Sequence, residues 1–257
     1  MDRWKPIRQI GHGAFGAAIL VQAVTDATKR FVVKLVDVSK MPAKEEEDTL
    51  REVHVLASFD HPNIICYVDS FVEVGKLHIV MEYAEDGDLR TLIKEHKAVG
   101  RALDEKQILD YFVQLCLAMQ HIHQRKVLHR DLKPQNIFLT EQRRVLKVGD
   151  FGIARTLEHS LELAHSKVGT PYYMSPEVLN ETPYNDKTDV WSMGCVLYEL
   201  CALRPPFDVP PRTGCEPSST IRGIGQHAPN PNPNLLIDAP AAGPCAHLPA
   251  LAHLSPP

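Results

Sequence analysis

Most strand-prone segments of this chain precede most helix-prone segments, and the two kinds do not alternate regularly. Runs rich in Val, Ile and Leu, which favour strands, fill much of the first 83 residues, and apolar residues at helical spacing follow. A block of strands before a block of helices favours an α+β fold over an alternating α/β fold. The strand-prone runs are 17–21, 31–36 and 77–81, and the clearest helical stripe is Ile108, Tyr111, Leu115, Met119 and Ile122.

The composition changes sharply at residue 208. Residues 209–257 contain 11 of the 20 prolines, no Phe, Trp or Tyr, and only four charged side chains. The alternating Pro and Asn of residues 229–234 cannot continue a helix or pair within a central strand. Such a segment buries too little apolar area to offset the entropy of ordering it. We therefore predict a folded part over residues 1–208 and a disordered tail over 209–257.

The charge and the cysteine content exclude several classes of function. With 28 Lys and Arg against 32 Asp and Glu, the net charge of −4 gives no electrostatic reason to expect a nucleic acid or a membrane surface as partner. The six cysteines include no C-x-x-C pair, which argues against a zinc site or a disulfide framework. The amino-terminal residues lack the apolar run of a signal peptide, and no apolar stretch long enough to span a membrane follows. We expect a cytoplasmic protein.

A glycine-rich segment, residues 11–16, matches the pattern G-x-G-x-x-G through Gly11, Gly13 and Gly16. In dinucleotide-binding folds such glycines open a helix. Here residues 17–24 are apolar and strand-prone with no helix cap, which favours a strand–loop–strand flap. The backbone N–H groups of such a flap can close over phosphates, and Phe15 would lie at its tip. A glycine-rich hairpin without a ligand remains the alternative.

Lys34 lies in an otherwise apolar strand, after Val32 and Val33. A lysine in such a place needs an anionic partner, which the phosphates of a nucleotide and a carboxylate from a nearby helix would supply. The charged segment 43–59 is predicted to form that helix, and it contains Glu52. We predict an ion pair between Lys34 and Glu52, with a solvated position as the alternative for Glu52.

The segment 129–136, His-Arg-Asp-Leu-Lys-Pro-Gln-Asn, carries the strongest chemical signal. Asp131 can orient a hydroxyl nucleophile and accept its proton. Lys133 can neutralise charge on a phosphoryl group in transfer, and Asn136 offers an oxygen to Mg²⁺. Fourteen residues later, Asp150-Phe151-Gly152 adds a carboxylate that can hold Mg²⁺ between two phosphates. The order and spacing of these groups predict phosphoryl transfer.

These motifs together form the protein-kinase signature set, and the sequence resembles a eukaryotic protein kinase of the NIMA-related (Nek) family. The resemblance runs from about Trp4 to Asp208. It is carried most strongly by residues 128–140, 149–155 and 169–177.

The resemblance implies a two-lobed kinase fold with a five-stranded antiparallel sheet. The small lobe would cover residues 1–83 and the helical lobe residues 84–208. Lys133-Pro134 and Gly169-Thr170 are similar to the forms found in serine/threonine kinases, and a tyrosine kinase would differ at both places.

The resemblance also implies roles in binding ATP and Mg²⁺. Met81 would be the gatekeeper beside the adenine, and backbone groups of residues 82–84 would bind its edge. Asp88 would approach the ribose, and Asn136 and Asp150 would hold the metal ion. The residues expected to bind ATP are Ile10, Gly11, Gly13, Phe15, Gly16, Ala18, Val32, Lys34, Met81, Glu82, Ala84, Asp88 and Phe138.

A regulatory segment is implied between Asp150 and Glu177. Ser166 matches the loop Ser or Thr that is phosphorylated in the family, and Arg130 would bind its phosphate. Thr170 is expected to hydrogen-bond near the catalytic carboxylate. The implied regulatory spine consists of Leu56, Tyr67, His129 and Phe151, anchored by Asp189.

The sequence departs from the family after Asp208. The later helices of the large lobe have no counterpart in residues 209–257, and one of them supplies the arginine that pairs with the glutamate matching Glu177. Apolar residues of the helix near 186–203 would then lose part of their cover. We therefore expect a truncated lobe of marginal stability, weak activity and association with chaperones.

We expect transfer of the γ-phosphoryl group of Mg·ATP to Ser or Thr of proteins. The first alternative is a nucleotide-binding kinase relative that is catalytically weak and acts as a regulatory binding protein. A dinucleotide-dependent oxidoreductase, which rests on the glycine segment alone, is the second. Expected partners are ATP and protein substrates, with neither nucleic acid nor membrane. Family analogy suggests a location at the cytoskeleton, centrosome or cilium.

Overall fold

The computed structural model describes residues 3–13, 16–39, 41, 47, 49, 53, 55–150 and 172–207. The strands are β1 (Trp4–Gly13), β2 (Gly16–Ala23), β3 (Asp26–Asp37), β4 (Tyr67–Glu73), β5 (Lys76–Glu82), β6 (Ile137–Thr140) and β7 (Val145–Val148). The α-helices are α1 (Leu89–Ala98), α2 (Glu105–Gln124), α3 (Pro176–Leu179) and α4 (Lys187–Ala202), and Pro134–Asn136 form a 3₁₀ turn. This order confirms the prediction of a strand block followed by a mainly helical block.

Strands β1 to β5 form one antiparallel sheet in the order β1-β2-β3-β5-β4. Val33 and Val80 are cross-strand partners on β3 and β5, and both are fully buried on the face that also buries Trp4. The opposite face buries Leu77 and Ile79. Because β-branched side chains alternate between the two faces, the sheet buries apolar residues on both sides. The predicted five-stranded antiparallel sheet is confirmed.

The glycine-rich segment joins two strands. Gly13 at the end of β1 pairs with Gly16 at the start of β2, and Gly11 pairs with Ala18. Gly16 adopts φ +138°, and a Cβ placed on it would lie 1.9 Å from the carbonyl oxygen of Leu35. Only glycine fits there. The strand–loop–strand prediction is confirmed, and the dinucleotide-binding alternative, which needs a helix at this point, is wrong.

Helix α2 forms the centre of the helical part. Its predicted stripe is buried, with Leu115 at 1% exposure and Ile122 at 0%. Asp104 caps the helix because its carboxylate accepts a hydrogen bond from the Gln107 N–H at 3.4 Å. Asp104 and Gln107 have the spacing of a capping box, but the box is only half formed, since the Gln107 side chain donates to the Tyr111 hydroxyl instead.

Helix α4 packs against the same core. Seven apolar residues of this helix were expected to lose cover: Val190, Trp191, Met193, Cys195, Val196, Leu197 and Leu200. Four of them are buried, whereas Val190 is 49% exposed. The helix ends at Leu203, which adopts the left-handed conformation at φ +54°. Phe207, which follows the helix, stacks on Trp191 of α4 with the two ring centroids 5.5 Å apart. The four buried residues are Met193, Cys195, Val196 and Leu200.

The segment before β4 attaches the sheet to the helical part. Within the predicted helix 43–59, the described residues 47, 49, 53 and 55–57 are helical. After it, the Asn63 carbonyl accepts from the Val148 N–H at 2.8 Å, and the Ile65 N–H donates to the Val148 carbonyl at 2.8 Å. These bonds place the chain beside β7 like a further strand. The predicted tail, 209–257, lies outside the described residues.

None of the helices in the described ranges combines the length and the apolar character needed to cross a membrane.

Leu115→Ala should lower the free energy of unfolding by about 2–5 kcal/mol, because it leaves a cavity in the centre of the helical core. Leu109→Ala is the matched control in the same helix. Leu109 is 53% exposed, so its truncation should cost about 0.5 kcal/mol or less. Urea denaturation followed by tryptophan fluorescence measures both values. Equal losses would contradict this packing of α2.

Candidate active site

Lys34 and Asp150 form an ion pair across the cleft between the sheet and the helical part. Lys34 lies in the middle of β3, opposite Ile79 of β5, and Asp150 follows β7. The Lys34 Nζ lies 2.9 Å from Asp150 Oδ1. The predicted partner, Glu52, lies outside the described residues, so that ion pair stays a prediction. The carboxylate that the structure brings to Lys34 is that of Asp150.

The carboxylate of Asp131 is held by two side chains of its own loop. Lys133 Nζ lies 2.7 Å from Asp131 Oδ2, and Asn136 Nδ2 donates to the same oxygen at 2.9 Å. The Asn136 amide also donates to the Asp131 backbone carbonyl at 2.7 Å. Among the described residues no group donates to Asp131 Oδ1. This oxygen is therefore available to a hydroxyl group.

His129 connects the two acidic residues of the site. Its Nε2 lies 3.0 Å from the Gly149 carbonyl, which can only accept, so Nε2 carries the proton. Its Nδ1 then accepts the Asp131 N–H at 3.3 Å. Complete burial lowers the pKa of His129 and keeps the ring neutral, as this tautomer requires. The ring thereby joins the backbone of Asp131 to the residue before Asp150.

Asp189 of α4 supports the same loop from below. Its carboxylate accepts the backbone N–H groups of His129 at 2.9 Å and Arg130 at 3.0 Å, and it lies 2.8 Å from His123 Nε2. Burial acts to raise the pKa of Asp189, but these hydrogen bonds outweigh it and hold the pKa below its ordinary value. Asp189 thus remains ionised although it is 1% exposed. Its predicted anchoring position beneath His129 is confirmed.

Two residues of the site hold a strained backbone. Arg130 adopts φ +65° and Asp150 adopts φ +52°, in the left-handed region that costs an L-residue about 1 kcal/mol or more. Asp189 fixes the first through the Arg130 N–H. Lys34 fixes the side chain of the second. The left-handed conformations thus occur at Asp150 itself and at the residue before Asp131, the two acidic residues of the site.

Apolar residues line the cleft on both sides. Ala18 of β2 and Val32 of β3 belong to the sheet, and Phe138 of β6 belongs to the helical part. All three are half-buried, and Ile10 of β1 is 37% exposed. Met81 lines a cavity that reaches back to Lys34 and Asp150. Ala18, Val32, Phe138 and Ile10 were predicted to contact adenine, and that role stays a prediction.

The connection between the two parts, residues 82–88, is attached to the β6–β7 hairpin. Its backbone bonds Leu139 twice, through the Asp86 N–H and the Gly87 carbonyl. Asp88 forms a bridge with Phe138, and its carboxylate caps α1 by accepting the Thr91 N–H at 2.7 Å. Ala84 is buried in this segment. The predicted ribose residue thus has a structural role at the start of α1.

A family model described as the protein kinase domain matches residues 4–225. The match covers most of the chain and includes every residue of the site described above. The chain belongs to the protein kinase family. The matched range extends past residue 208, where the composition changes.

The similar curated kinases are NIMA-related. The chain is 50% identical over 208 residues to the mouse serine/threonine-protein kinase Nek1 and 51% identical over 208 residues to human Nek5, covering 81% of this chain in each case. It is 44% identical over 214 residues to the Caenorhabditis elegans kinase nekl-2. The chain spans 17% of the mouse Nek1 length, 29% of human Nek5 and 60% of nekl-2.

The kinase family implies Mg²⁺, and the donor set of this site fits that ion. The hydrogen bonds of Asn136 use only its Nδ2, which leaves its oxygen for a metal. Lys34 binds only one oxygen of Asp150, which leaves Oδ2. Amide and carboxylate oxygens are the hard ligands that Mg²⁺ prefers, and phosphate oxygens would complete its shell. Within the described ranges, no three acidic, His or Cys side chains are grouped closely enough to hold a metal ion.

Hydrogen bonds between residues 173–175 and α4 were not predicted from the sequence. The Tyr173 hydroxyl donates to Glu199 of α4, and Ser192 Oγ donates to the Tyr173 carbonyl at 2.8 Å. Ser175 Oγ is hydrogen-bonded to Thr188. Burial and then the Glu199 bond raise the pKa of Tyr173. A glutamate at a buried position of the apolar α4 pattern was the signal available in the sequence.

The predicted site residues not yet described are Glu177, the Arg130 side chain and several that lie outside the described residues. Glu177 lies in the first turn of α3 and is half-buried, with Ser175 before it as N-cap. Arg130 is placed beside Asp131, with an exposed side chain. The predictions for Phe15, Glu52, Phe151, Ser166 and Thr170 fall outside the described residues.

The stability of the chain should depend on pH through His129. Burial lowers the pKa of His129 in the folded state. Below about pH 6.5 the unfolded chain therefore binds a proton at this residue, whereas the folded chain does not. The free energy of unfolding consequently decreases as the pH falls. From pH 7.5 to 5.5 this should remove about 1 kcal/mol. His129→Gln cannot titrate, so urea denaturation at both pH values should show a smaller loss for the variant. Equal losses would rule out a neutral buried His129.

Proposed function

We propose that this kinase transfers the γ-phosphoryl group of ATP to serine or threonine hydroxyls of proteins. One observation carries the proposal. Asp131 is hydrogen-bonded to Lys133 and Asn136 and is joined through His129 to the residue beside Asp150. This arrangement combines a proton acceptor, a cation and two metal-ligand candidates in one cleft. Phosphoryl transfer needs these groups and little other protein chemistry.

Asp131 is the proposed catalytic base. Its Oδ1 is the oxygen that no described group occupies, and it would orient the substrate hydroxyl and accept its proton. Lys133, which holds the other oxygen at 2.7 Å, would stabilise negative charge on the transferred group. The bond from Asn136 to Asp131 fixes the carboxylate, and the Asn136 oxygen would help to hold a metal ion that neutralises the phosphates. Catalysis therefore rests on positioning and charge.

ATP is proposed to lie between the sheet and the β6–β7 hairpin. Ala18, Val32 and Phe138 would contact the adenine, and the glycine-rich flap would cover the phosphates. Lys34 would bind phosphate oxygens, which supply the anionic partner that a lysine in an apolar strand requires. Mg²⁺, held by Asn136 and Asp150, would bridge and neutralise the phosphates. Glu52 would complete the ion pair with Lys34.

Transfer to Ser or Thr, and not Tyr, is supported by two features. Lys133 is followed by Pro134, a form similar to that found in serine/threonine kinases. The curated relatives are named serine/threonine-protein kinases. Incubation of the chain with ATP, Mg²⁺ and matched peptides carrying one Ser, Thr or Tyr tests this. Transfer to the Tyr peptide alone would contradict it.

Substrates, partners and location of the whole protein are also proposals. The named relatives suggest work at the cytoskeleton, centrosome or cilium by family analogy only. Association with chaperones stays a prediction. A fluorescent-fusion localisation experiment and mass spectrometry of the purified complex test the two points separately.

Loss of either partner in the Lys34–Asp150 pair should nearly abolish activity. Lys34→Met removes a phosphate-binding cation, and Asp150→Asn removes a metal-binding charge. Each should lower the rate of phosphoryl transfer by about 10²–10³. Both variants should keep the circular-dichroism spectrum of the folded chain.

The exposed pair Lys106–Asp110 on α2 provides a matched control. Its side chains also form an ion pair, at 2.6 Å, but they are 81% and 56% exposed and remote from the cleft. Lys106→Met and Asp110→Asn should leave the rate within about twofold. If all four variants retain activity, the assignment fails. If wild-type binds an ATP analogue without transferring phosphate, the regulatory alternative gains support.

Phosphorylation of Ser166 should activate the kinase. A phosphate there would form charge-assisted hydrogen bonds with Arg130 and order the surrounding segment. Ser166→Ala should lower activity about tenfold or more, whereas Ser160→Ala, in the same segment, should not; this magnitude corresponds to about one strong charge-assisted contact. Thr170→Ala should lower activity with or without phosphorylation. Phosphopeptide mapping of active protein that finds Ser166 unmodified, with Ser166→Ala fully active, would remove this proposal.

A further inference from the structure

Glu82, at the start of the connecting segment 82–88, has both carboxylate oxygens bound. Lys147 Nζ of β7 lies 2.9 Å from Oε1, and the Cys66 N–H donates to Oε2 at 3.1 Å. The Glu82 N–H returns a bond to the Cys66 carbonyl at 2.9 Å. The side chain of Lys147 is only 14% exposed and that of Glu82 is 30% exposed. The pair is therefore more sheltered than an ordinary surface ion pair.

Lys147 lies directly across from the residue that forms the floor of the cleft. In the β6–β7 hairpin, Lys147 pairs with Phe138. Its side chain thus extends from the strand beside Phe138 to the first residue of the connecting segment. A lysine in this half-buried place would lose hydration without compensation if Glu82 moved away. The ion pair consequently fixes the distance between the segment and the hairpin.

Two further carboxylates of the segment, those of Glu85 and Asp86, bind the same hairpin. Glu85 accepts the Thr140 hydroxyl at 2.7 Å and the Glu141 N–H at 3.2 Å, and Asp86 accepts the Arg143 N–H at 3.0 Å. Burial acts to raise the pKa of Glu85, but its hydrogen bonds and the positive charge of Lys147 outweigh it and lower the pKa. Only the Glu82 attachment uses a charged side chain of the hairpin as donor.

We propose that Lys147 is a positioning residue for nucleotide binding. By holding the Glu82 carboxylate, it sets the backbone of residues 82–84 at the height above Phe138 that an adenine ring requires. Lys147 does not itself touch the nucleotide. The inference rests on the proposed function, because it takes this cleft to be the ATP site.

Removal of the Lys147 charge should change nucleotide affinity and not the chemical step. Lys147→Met keeps the aliphatic stem and should raise the KM for ATP and the Kd of a fluorescent ATP analogue about three- to tenfold. The kcat should stay within about twofold, because Asp131, Lys133 and Asn136 are not in contact with Lys147. Lys147→Arg, which can still bind Glu82, should restore most of the affinity.

Arg143→Met is the matched control. Arg143 also lies in the β6–β7 region and pairs with a carboxylate, but its partner is Glu95 of α1. Its attachment to Asp86 uses the backbone N–H, which the variant keeps. A KM for ATP that rises equally in Arg143→Met and Lys147→Met would show general loosening of the hairpin and would overturn the proposal.

A double-mutant cycle tests whether Lys147 acts through Glu82. In a Glu82→Gln background, Lys147→Met should add less than about twofold to the Kd, because its partner is already altered. A full additional loss of affinity would overturn the proposal, as would unchanged affinity in the single variant. If the wild-type chain binds no ATP analogue at all, the proposed function fails first. If the chain binds the ATP analogue without transferring phosphate, the Kd values of wild type and the Lys147 variants still test the proposal.

Discussion

The site depends on one buried negative charge, the carboxylate of Asp189. The loop between α2 and the 3₁₀ turn has no helix or strand to satisfy its backbone, and a buried N–H without a partner costs free energy. Asp189 accepts the N–H groups of His129 and Arg130, and it also binds His123. This holds Arg130 in its left-handed conformation and allows the next residue, Asp131, to face the cleft. A shorter or neutral side chain at this place would leave at least one of these donors unpaired.

His129 transmits this order to the other acidic residue. As a neutral ring it accepts from the Asp131 backbone and donates to Gly149. Gly149 itself is tightly enclosed, since a Cβ placed there would lie 2.8 Å from the Ile65 side chain. This enclosure restricts the backbone between β7 and Asp150, whose carboxylate accepts a hydrogen bond from Lys34. The two carboxylates of the site are connected by a buried ring and not by direct contact.

The connecting segment 82–88 applies the same principle at the other end of the cleft. It is short, acidic and close to a hairpin whose Thr140 hydroxyl, backbone N–H groups and one lysine match its carboxylates. The connecting segment thus continues β5 of the sheet at one end and is hydrogen-bonded to the hairpin along its length. Buried ion pairs of this kind contribute little net stability because desolvation offsets the attraction. Their effect here is to specify geometry.

The sequence alone determined the elements and the local chemistry. The five-stranded sheet was implied only by the resemblance to kinases. Strand and helix patterns depend on residues close in the chain, which is why the strand-prone runs 17–21, 31–36 and 77–81 and the buried face of α2 could be predicted from the residues themselves. The partners of charged groups could not. Lys34 meets Asp150, 116 residues away, and Tyr173 meets Glu199, 26 residues away. In the sequence, several carboxylates are equally plausible ion-pair partners for Lys34. Only the packing of the sheet on the helical part decides which one comes within hydrogen-bonding distance, because the energy of an ion pair falls steeply with separation and exposure.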